Sequence, residues 1–162
     1  MTSVLFIPRT DRNTKRALIN EIAEAVFGTA EQSAFSEEFV PVGGRVPAPK
    51  KENFANFLIN VPELLWAVQY NEKTIGFILI FNIPDPSSIG FSINSNFANK
   101  GIATDAFTLV RHSTLIKYPI FGSTSTRNTI AQHFMLKQGF VQLPQSFNFC
   151  GEESFKYRLD LP

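Results

Sequence analysis

Between Leu64 and Ile93 the chain carries three apolar, β-prone runs, Leu64–Tyr70, 74–82 and Ser88–Ile93, parted only by Asn71-Glu72-Lys73 and by Pro84-Asp85-Pro86. Connections that short join antiparallel neighbours, so this block predicts a meander. At Gly101 the period changes. Ile102, Ala106, Leu109, Val110 and Leu115 recur at the three-to-four spacing of a helix running through residue 117. A strand over 119–123 follows, then a helix over 127–137 carried by Ile130, Ala131, Phe134 and Met135, then two strand candidates around Phe147 and Phe155. A strand-helix-strand crossover inside a sheet that began as a meander brings in a parallel pair at its middle. The fold class is therefore mixed α/β: a mostly antiparallel sheet of six or seven strands flanked by about four helices.

Ahead of the meander, residues 4–7 read as a short strand and 8–13 as a turn. Leu18, Ile22, Ala25 and Val26 form the apolar stripe of a helix that Gly28 is placed to end. Residues 29–51 hold no period and contain Pro41, Gly43, Gly44, Pro47 and Pro49, which predicts a long loop of the kind that often carries function. A short helix over 52–59 closes before Pro62. With 162 residues the chain can bury one sizeable core but not two, so residues 1–162 are read as a single domain.

The net charge of +1 gives no reason to expect a nucleic-acid partner. Its distribution is uneven, because Lys100, Arg111, Lys117, Arg127 and Lys137 face only Asp105 between residues 97 and 140. That stretch sums to +4 and the remainder to −3, a field suited to a small phosphorylated ligand. Cys150 is the single cysteine, so no intrachain disulfide is possible and a reducing, cytoplasmic setting is expected. No run approaches the roughly 20 apolar residues of a membrane span, and no secretory leader is expected from residues 1–16. Two histidines and one cysteine do not make an ordinary zinc site, and nucleotide-triphosphate loops and nucleophile elbows are missing from the sequence.

The densest chemical signal runs from Ser88 to Ala106: a strand, a turn of small residues, and a helix. The first amides of a helix lack intrahelical partners and lie at the positive end of its dipole, which suits a diphosphate. Gly101 lets phosphates approach the main chain, and Ala103 and Thr104 are small enough not to obstruct them. Gly101 has a plain alternative role in easing a tight turn. Asn128 likewise suits a helix N-cap, and Gly139 a left-handed C-terminal cap.

Taken together, the two segments resemble the GNAT N-acetyltransferase family. Ala98-Asn99-Lys100-Gly101-Ile102-Ala103 is similar to that family's Q/R-x-x-G-x-G/A pyrophosphate loop, and Asn128, Ala131, Lys137, Gly139 and Phe140 match its N-x-x-S/A…K-x-G-F segment. The resemblance spans about residues 66–140. Ile89-Gly90-Phe91 and the run from Gly101 to Ala106 look most like the branch that includes ribosomal-protein N-terminal acetyltransferases.

The resemblance implies a sheet splayed near residues 91–94 to admit the pantetheine of acetyl-CoA, the co-substrate. It places the phosphates on Asn99, Lys100, Gly101, Ile102, Ala103 and Thr104, the pantetheine along Ser92 and Ile93, and a hydrogen bond from Asn128 to the pantetheine arm. A main-chain N–H within residues 91–93 would polarise the thioester. The acceptor would be a primary amine, either a protein amino terminus or a small molecule, lying over residues 37–51 and 147–155. A monomer or homodimer is expected.

Departures are as informative. Ala98 stands where Gln or Arg is usual, Ser88 where many relatives carry a Glu base, and Met135 where a Tyr often acts as acid. The catalytic residues are thus not identified, with Ser92, His133 and Glu63 as distant candidates acting through water. Two alternatives stay open: a catalytically silent acyl-CoA-binding module of the same fold, and an interaction protein without ligand.

Overall fold

The computed structural model describes residues 1–26, 51–82, 85–149 and 152–162. Its elements are β1 (Thr2–Phe6), α1 (Arg16–Val26), α2 (Lys51–Asn60), β2 (Leu64–Tyr70), β3 (Lys73–Phe81), β4 (Ser88–Ile93), α3 (Ile102–Val110), β5 (Ile120–Ser125), α4 (Thr129–Lys137), β6 (Val141–Phe149) and β7 (Glu152–Leu159), with short 3-10 turns at Arg9–Asp11 and Ser95–Phe97. The strands form one seven-stranded sheet in the order β1-β2-β3-β4-β5-β7-β6. Every neighbouring pair is antiparallel except β4 with β5.

The meander closes where the sequence placed its turns. Asn71 and Glu72 form a two-residue connection between Tyr70 and Lys73, both with positive φ (49° and 68°), the geometry that matches the twist of paired strands. Alternation then sorts the strands' side chains onto two faces. Ile78, Ile80, Ile89, Ile120, Tyr157 and Leu159 pack with Ile102, Ala106, Phe107 and Val110 of α3 and Met135 of α4. Leu65, Ala67, Phe77 and Leu79 pack on the other face with Ile19, Ile22, Ala23 and Val26 of α1 and Phe54 and Leu58 of α2. The result is helix, sheet, helix, with α3 and α4 opposite α1 and α2.

Several expectations shift. The helix predicted through residue 117 stops at Val110, where Arg111 N–H still reaches Phe107 O (2.8 Å) but the chain then turns. Tyr118 Oη donates to Arg111 O (2.6 Å) and holds that turn. Leu109 and Leu115 are consequently exposed, and Phe107 and Ile116 take the buried places. Ile130 of α4 is exposed as well; α4 buries Met135, whose Cε lies where a Cβ on Gly122 of β5 would be. In α1 the stripe centres on Ile19 rather than Leu18. The loop predicted over 29–51 and the stop at Gly28 lie outside the described residues, apart from Lys51, which opens α2.

Arg12 is the least expected core residue, with no exposed surface. Its guanidinium donates to the carbonyls of Ile7, Leu58, Ile59, Pro62 and Glu63 at 2.5 to 3.5 Å, tying the end of α2 and the start of β2 to the segment after β1. Burial, with Arg9 nearby, pushes its pKa down to about 10, which leaves it charged at neutral pH.

Candidate functional site

The parallel pair at the centre of the sheet barely pairs at all. β4 and β5 share a single register position, Ser88 with Phe121, after which they diverge. On its other edge β4 is fully paired to β3, from Ser88 with Phe81 to Ile93 with Gly76. Asn94 N–H reaches Ile75 O (2.8 Å) on the β3 side, while Ser87 O accepts from Phe121 N–H (3.2 Å) on the β5 side. Even-numbered main-chain groups of β4 therefore address β3, and the amide of Phe91 is directed into the opening left by β5.

At the end of that opening stands the N-terminus of α3. Asn99 (φ 61°) and Gly101 (φ 75°) both take the left-handed conformation, which swings the chain from the 3-10 turn into the helix. Gly101 is the N-cap residue, and among the described residues no side chain caps the helix and a Cβ built on Gly101 meets nothing within 4 Å. Asp105 N–H bonds Gly101 O (3.0 Å), so the amides of the first turn before it point outward along the axis.

The side chains expected around this turn divide by role. Lys100 is exposed, with Nζ 5.6 Å from the Phe97 ring centroid; Lys73, from the start of β3, approaches the same ring at 5.8 Å. Lys73 is a cation that only the sheet topology brings to the turn. Ile102 is buried in the core, so its contribution to a ligand is its amide. The Thr104 hydroxyl accepts from Gln138 Nε2 (3.1 Å), pinning the first turn of α3 to the end of α4. Ala103 faces the opening.

A cavity of about 10 Å³ lies there, walled by Ile89, Phe91, Ile93, Ala103, Phe107 and Phe134. Phe91 and Phe134 span it from β4 and α4 with ring centroids 4.5 Å apart. Ile93 lines this wall. Ser92 does not: it pairs with Phe77, whose side chain belongs to the α1/α2 face, so alternation carries the Ser92 side chain away from α3. Asn128 has a measurable structural duty, since its Oδ1 accepts from Ala131 N–H (3.1 Å) and caps α4. Its amide Nδ2 is not used by that cap.

The charge asymmetry is less concentrated than the sequence implied. Arg111 donates to Gln138 O (3.1 Å) and stacks 5.0 Å from the Phe107 centroid at the far end of α3, and Lys137 lies in the last turn of α4. Lys100 and Arg127 are the two that precede helix N-termini. Of the distant proton-relay candidates, His133 and Glu63 are exposed, and Glu63 Oε1 is occupied by Asn82 Nδ2. A second small cavity opens on the other face of the sheet, with Asp85, Ser88, Ser123 and Lys156 among aromatic rings. Asp85 and Lys156 carried no motif that singled them out.

A family model described as an acetyltransferase (GNAT) domain matches residues 14–141. Among solved structures, a GNAT-family acetyltransferase from Bacillus cereus is 16% identical with TM-score 0.63, covering 100% of this chain and 99% of that one. The protein yncA from Salmonella typhimurium, solved with its cofactor acetyl-CoA, is 12% identical with TM-score 0.61 over 99% of this chain and 94% of that one. A ribosomal L7/L12 alpha-N-protein acetyltransferase in complex with coenzyme A is 9% identical with TM-score 0.60, again over 99% and 94%. At such identities the likeness is one of fold. No curated protein is significantly similar in sequence.

Proposed function

The chain belongs to the GNAT acetyltransferase family, which its match over residues 14–141 shows, and from that premise we propose that this single domain transfers an acetyl group from acetyl-CoA to a primary amine. The observation that carries the reading is the conjunction at the sheet's centre: an opening between β4 and β5 that ends on an uncapped helix N-terminus. The diphosphate rests on the amides of Asn99, Lys100, Gly101, Ile102, Ala103 and Thr104, where the dipole and the unpaired donors favour negative charge. Lys100 and Lys73 add positive field at short range. Ala98 in place of Gln or Arg costs one side-chain contact, and the main chain supplies the rest.

Pantetheine then runs along residues 91–93, with Asn128 Nδ2 donating to one of its amide carbonyls while Oδ1 keeps capping α4. The opening as it stands holds about 10 Å³, so seating the arm moves Phe134 off Phe91. The acceptor ammonium first gives a proton to ordered water, the Phe91 N–H polarises the thioester carbonyl, and the neutral amine nitrogen attacks its carbon. The oxyanion so formed is held by that same donor. Collapse breaks the C–S bond, the thiolate takes up a proton, and the ammonium proton leaves through ordered water. Acceptors include protein amino termini and small-molecule amines, and the chain acts as a monomer or homodimer in the cytoplasm.

The experiment is a titration with CoA followed by melting temperature, then release of free CoA from acetyl-CoA in the presence of amines and amino-terminal peptides. A stabilised protein that turns over with an acceptor bears the reading out; an unshifted melting temperature at millimolar CoA refutes it. One specific observation favours a second reading, a silent acyl-CoA-binding module. Ser88 and Met135 occupy the usual base and acid positions, and Met135 is buried against Gly122. CoA-dependent stabilisation without turnover for any amine selects that reading.

A further inference from the structure

We propose that the cavity on the α1/α2 face is the acceptor's ammonium site, with Asp85 as its counter-ion, and that the acceptor is a primary amine on an apolar stem. The inference deepens the acetyl-transfer reading and rests on it for the location of the thioester. Ile89 lines both cavities, one on each face of the sheet. The second cavity therefore begins at the point where β4 and β5 part, across the sheet from the opening assigned to the cofactor arm.

Its walls are aromatic, from Phe81, Phe121 and Phe147, and its charged groups are one carboxylate, Asp85, and one ammonium, Lys156. Ser88, at the position where a base was expected, serves instead as a brace: its Oγ donates to Asp85 O (2.6 Å) and accepts from Asp85 N–H (3.3 Å). The carboxylate is thereby presented from the turn before β4. Asp85 Oδ2 is buried, while the side chain as a whole is about a quarter exposed. Its partner is the Lys156 ammonium, with Nζ 2.5 Å away.

The carboxylate takes a cation as its partner. Lys156 indicates what kind. Its ammonium sits between the Asp85 carboxylate and the Phe121 ring, whose centroid is 5.2 Å away. A cation held by a carboxylate and an aromatic face is the arrangement that recognises a primary ammonium. Lys156 is a flexible side chain with about a quarter of its surface exposed, able to swing out and yield the same contacts to an incoming amine. Among the described residues its lining offers one carboxylate among three rings, which suits a single ammonium on an apolar or aromatic stem.

The test is calorimetric titration of the protein, with and without CoA, by 2-phenylethylamine and by its neutral analogue 2-phenylethanol. The amine should bind at least tenfold more tightly than the alcohol. Asp85→Asn should lose that preference at unchanged CoA affinity, and Lys156→Met, which removes the resident competitor, should bind the amine at least threefold more tightly. A Phe-Gly-Gly amide peptide that binds like the amine points to protein amino termini, and exclusion of the peptide to small molecules. Equal binding of amine and alcohol, no binding of either, or amine affinity indifferent to Asp85→Asn overturns the proposal. If Asp85→Asn does not fold, Lys156→Met decides, and weaker amine binding there overturns it equally. Failure of CoA to bind strikes the acetyl-CoA reading and leaves the amine result to be judged by itself.

Discussion

Replacing Gly101 by Glu separates a ligand effect from a folding effect, because the structure fixes both costs in advance. Among the described residues a Cβ at this position meets nothing within 4 Å, so none of their side chains is crowded out by the substitution. What remains is the left-handed φ of 75°, which costs an ordinary residue about 1 to 2 kcal/mol. Gly101→Ala carries that cost alone, and Gly101→Asn, which tolerates left-handed backbone, carries less of it. The glutamate adds a carboxylate beside the amides assigned to the diphosphate. Two unit charges about 4 Å apart exchange about 1 kcal/mol in water, and Gly101 is exposed, so the water-like limit applies. Against the roughly two charges of a diphosphate the penalty is about 2 kcal/mol, or roughly 30-fold in Kd. CoA titration of the four proteins, each first checked for folding by denaturant unfolding, measures it. Gly101→Glu binding CoA within threefold of Gly101→Ala would falsify the placement of the phosphates, since no screened geometry at that turn makes the carboxylate neutral to them.

The observed capping role of Asn128 and its proposed contact with CoA can be parted by substitution: Asn128→Ala should cost about 1 kcal/mol of stability together with CoA affinity, whereas Asn128→Ser should keep the cap and still weaken CoA. Equal CoA affinity in Asn128→Ser and the parent would remove Nδ2 from the site. Arg12→Met should lower unfolding free energy by about 3 kcal/mol or more in urea, because five carbonyls lose a common donor; a loss below about 1 kcal/mol would show that water replaces it. Burial raises the Tyr118 phenol above its ordinary value, partly opposed by Arg111, so the folded state holds that proton more firmly than the unfolded chain does. Stability from this source is present below about pH 10 and declines as pH rises through the folded value. Tyr118→Phe should remove that part of the decline in unfolding titrations between neutral and strongly alkaline pH.

Much of the fold was legible because its signals are local. Leu64–Tyr70 and Ser88–Ile93 begin and end where their apolar runs do, and the Asn71-Glu72 turn forces the antiparallel return. Helix faces were read less well, since apolar spacing does not say which of two overlapping stripes a sheet will cover. Phe107 rather than Leu109 is buried in α3, and Ile19 rather than Leu18 anchors α1. Arg12 shows the opposite failure. Its charge placed it on the surface by default, and only the convergence of the loop before α1, the end of α2 and the start of β2 supplies five acceptors for it.

The two halves of the site divide along the same line. The proposed cofactor side depends on main-chain amides and on the absence of bulk, so glycine, alanine and a capping asparagine at fixed spacing point to it within a few dozen residues of sequence. The proposed acceptor side is assembled from side chains of β3, of the turn before β4, of β4 itself, of β5, of β6 and of β7, places that no spacing rule relates. Asp85 carried no more signal in the sequence than any turn aspartate after a proline. Its setting involves Ser88, which was conspicuous only as a missing glutamate and whose hydroxyl bonds the main chain of Asp85. A serine at the expected base position therefore does not empty the acceptor side of charge. It moves the carboxylate three residues upstream and gives it a flexible lysine as resident partner. On the proposed reading, substrate choice in this chain turns on competition between that lysine and an incoming amine, a contest that local sequence does not encode and that Lys156→Met tests directly.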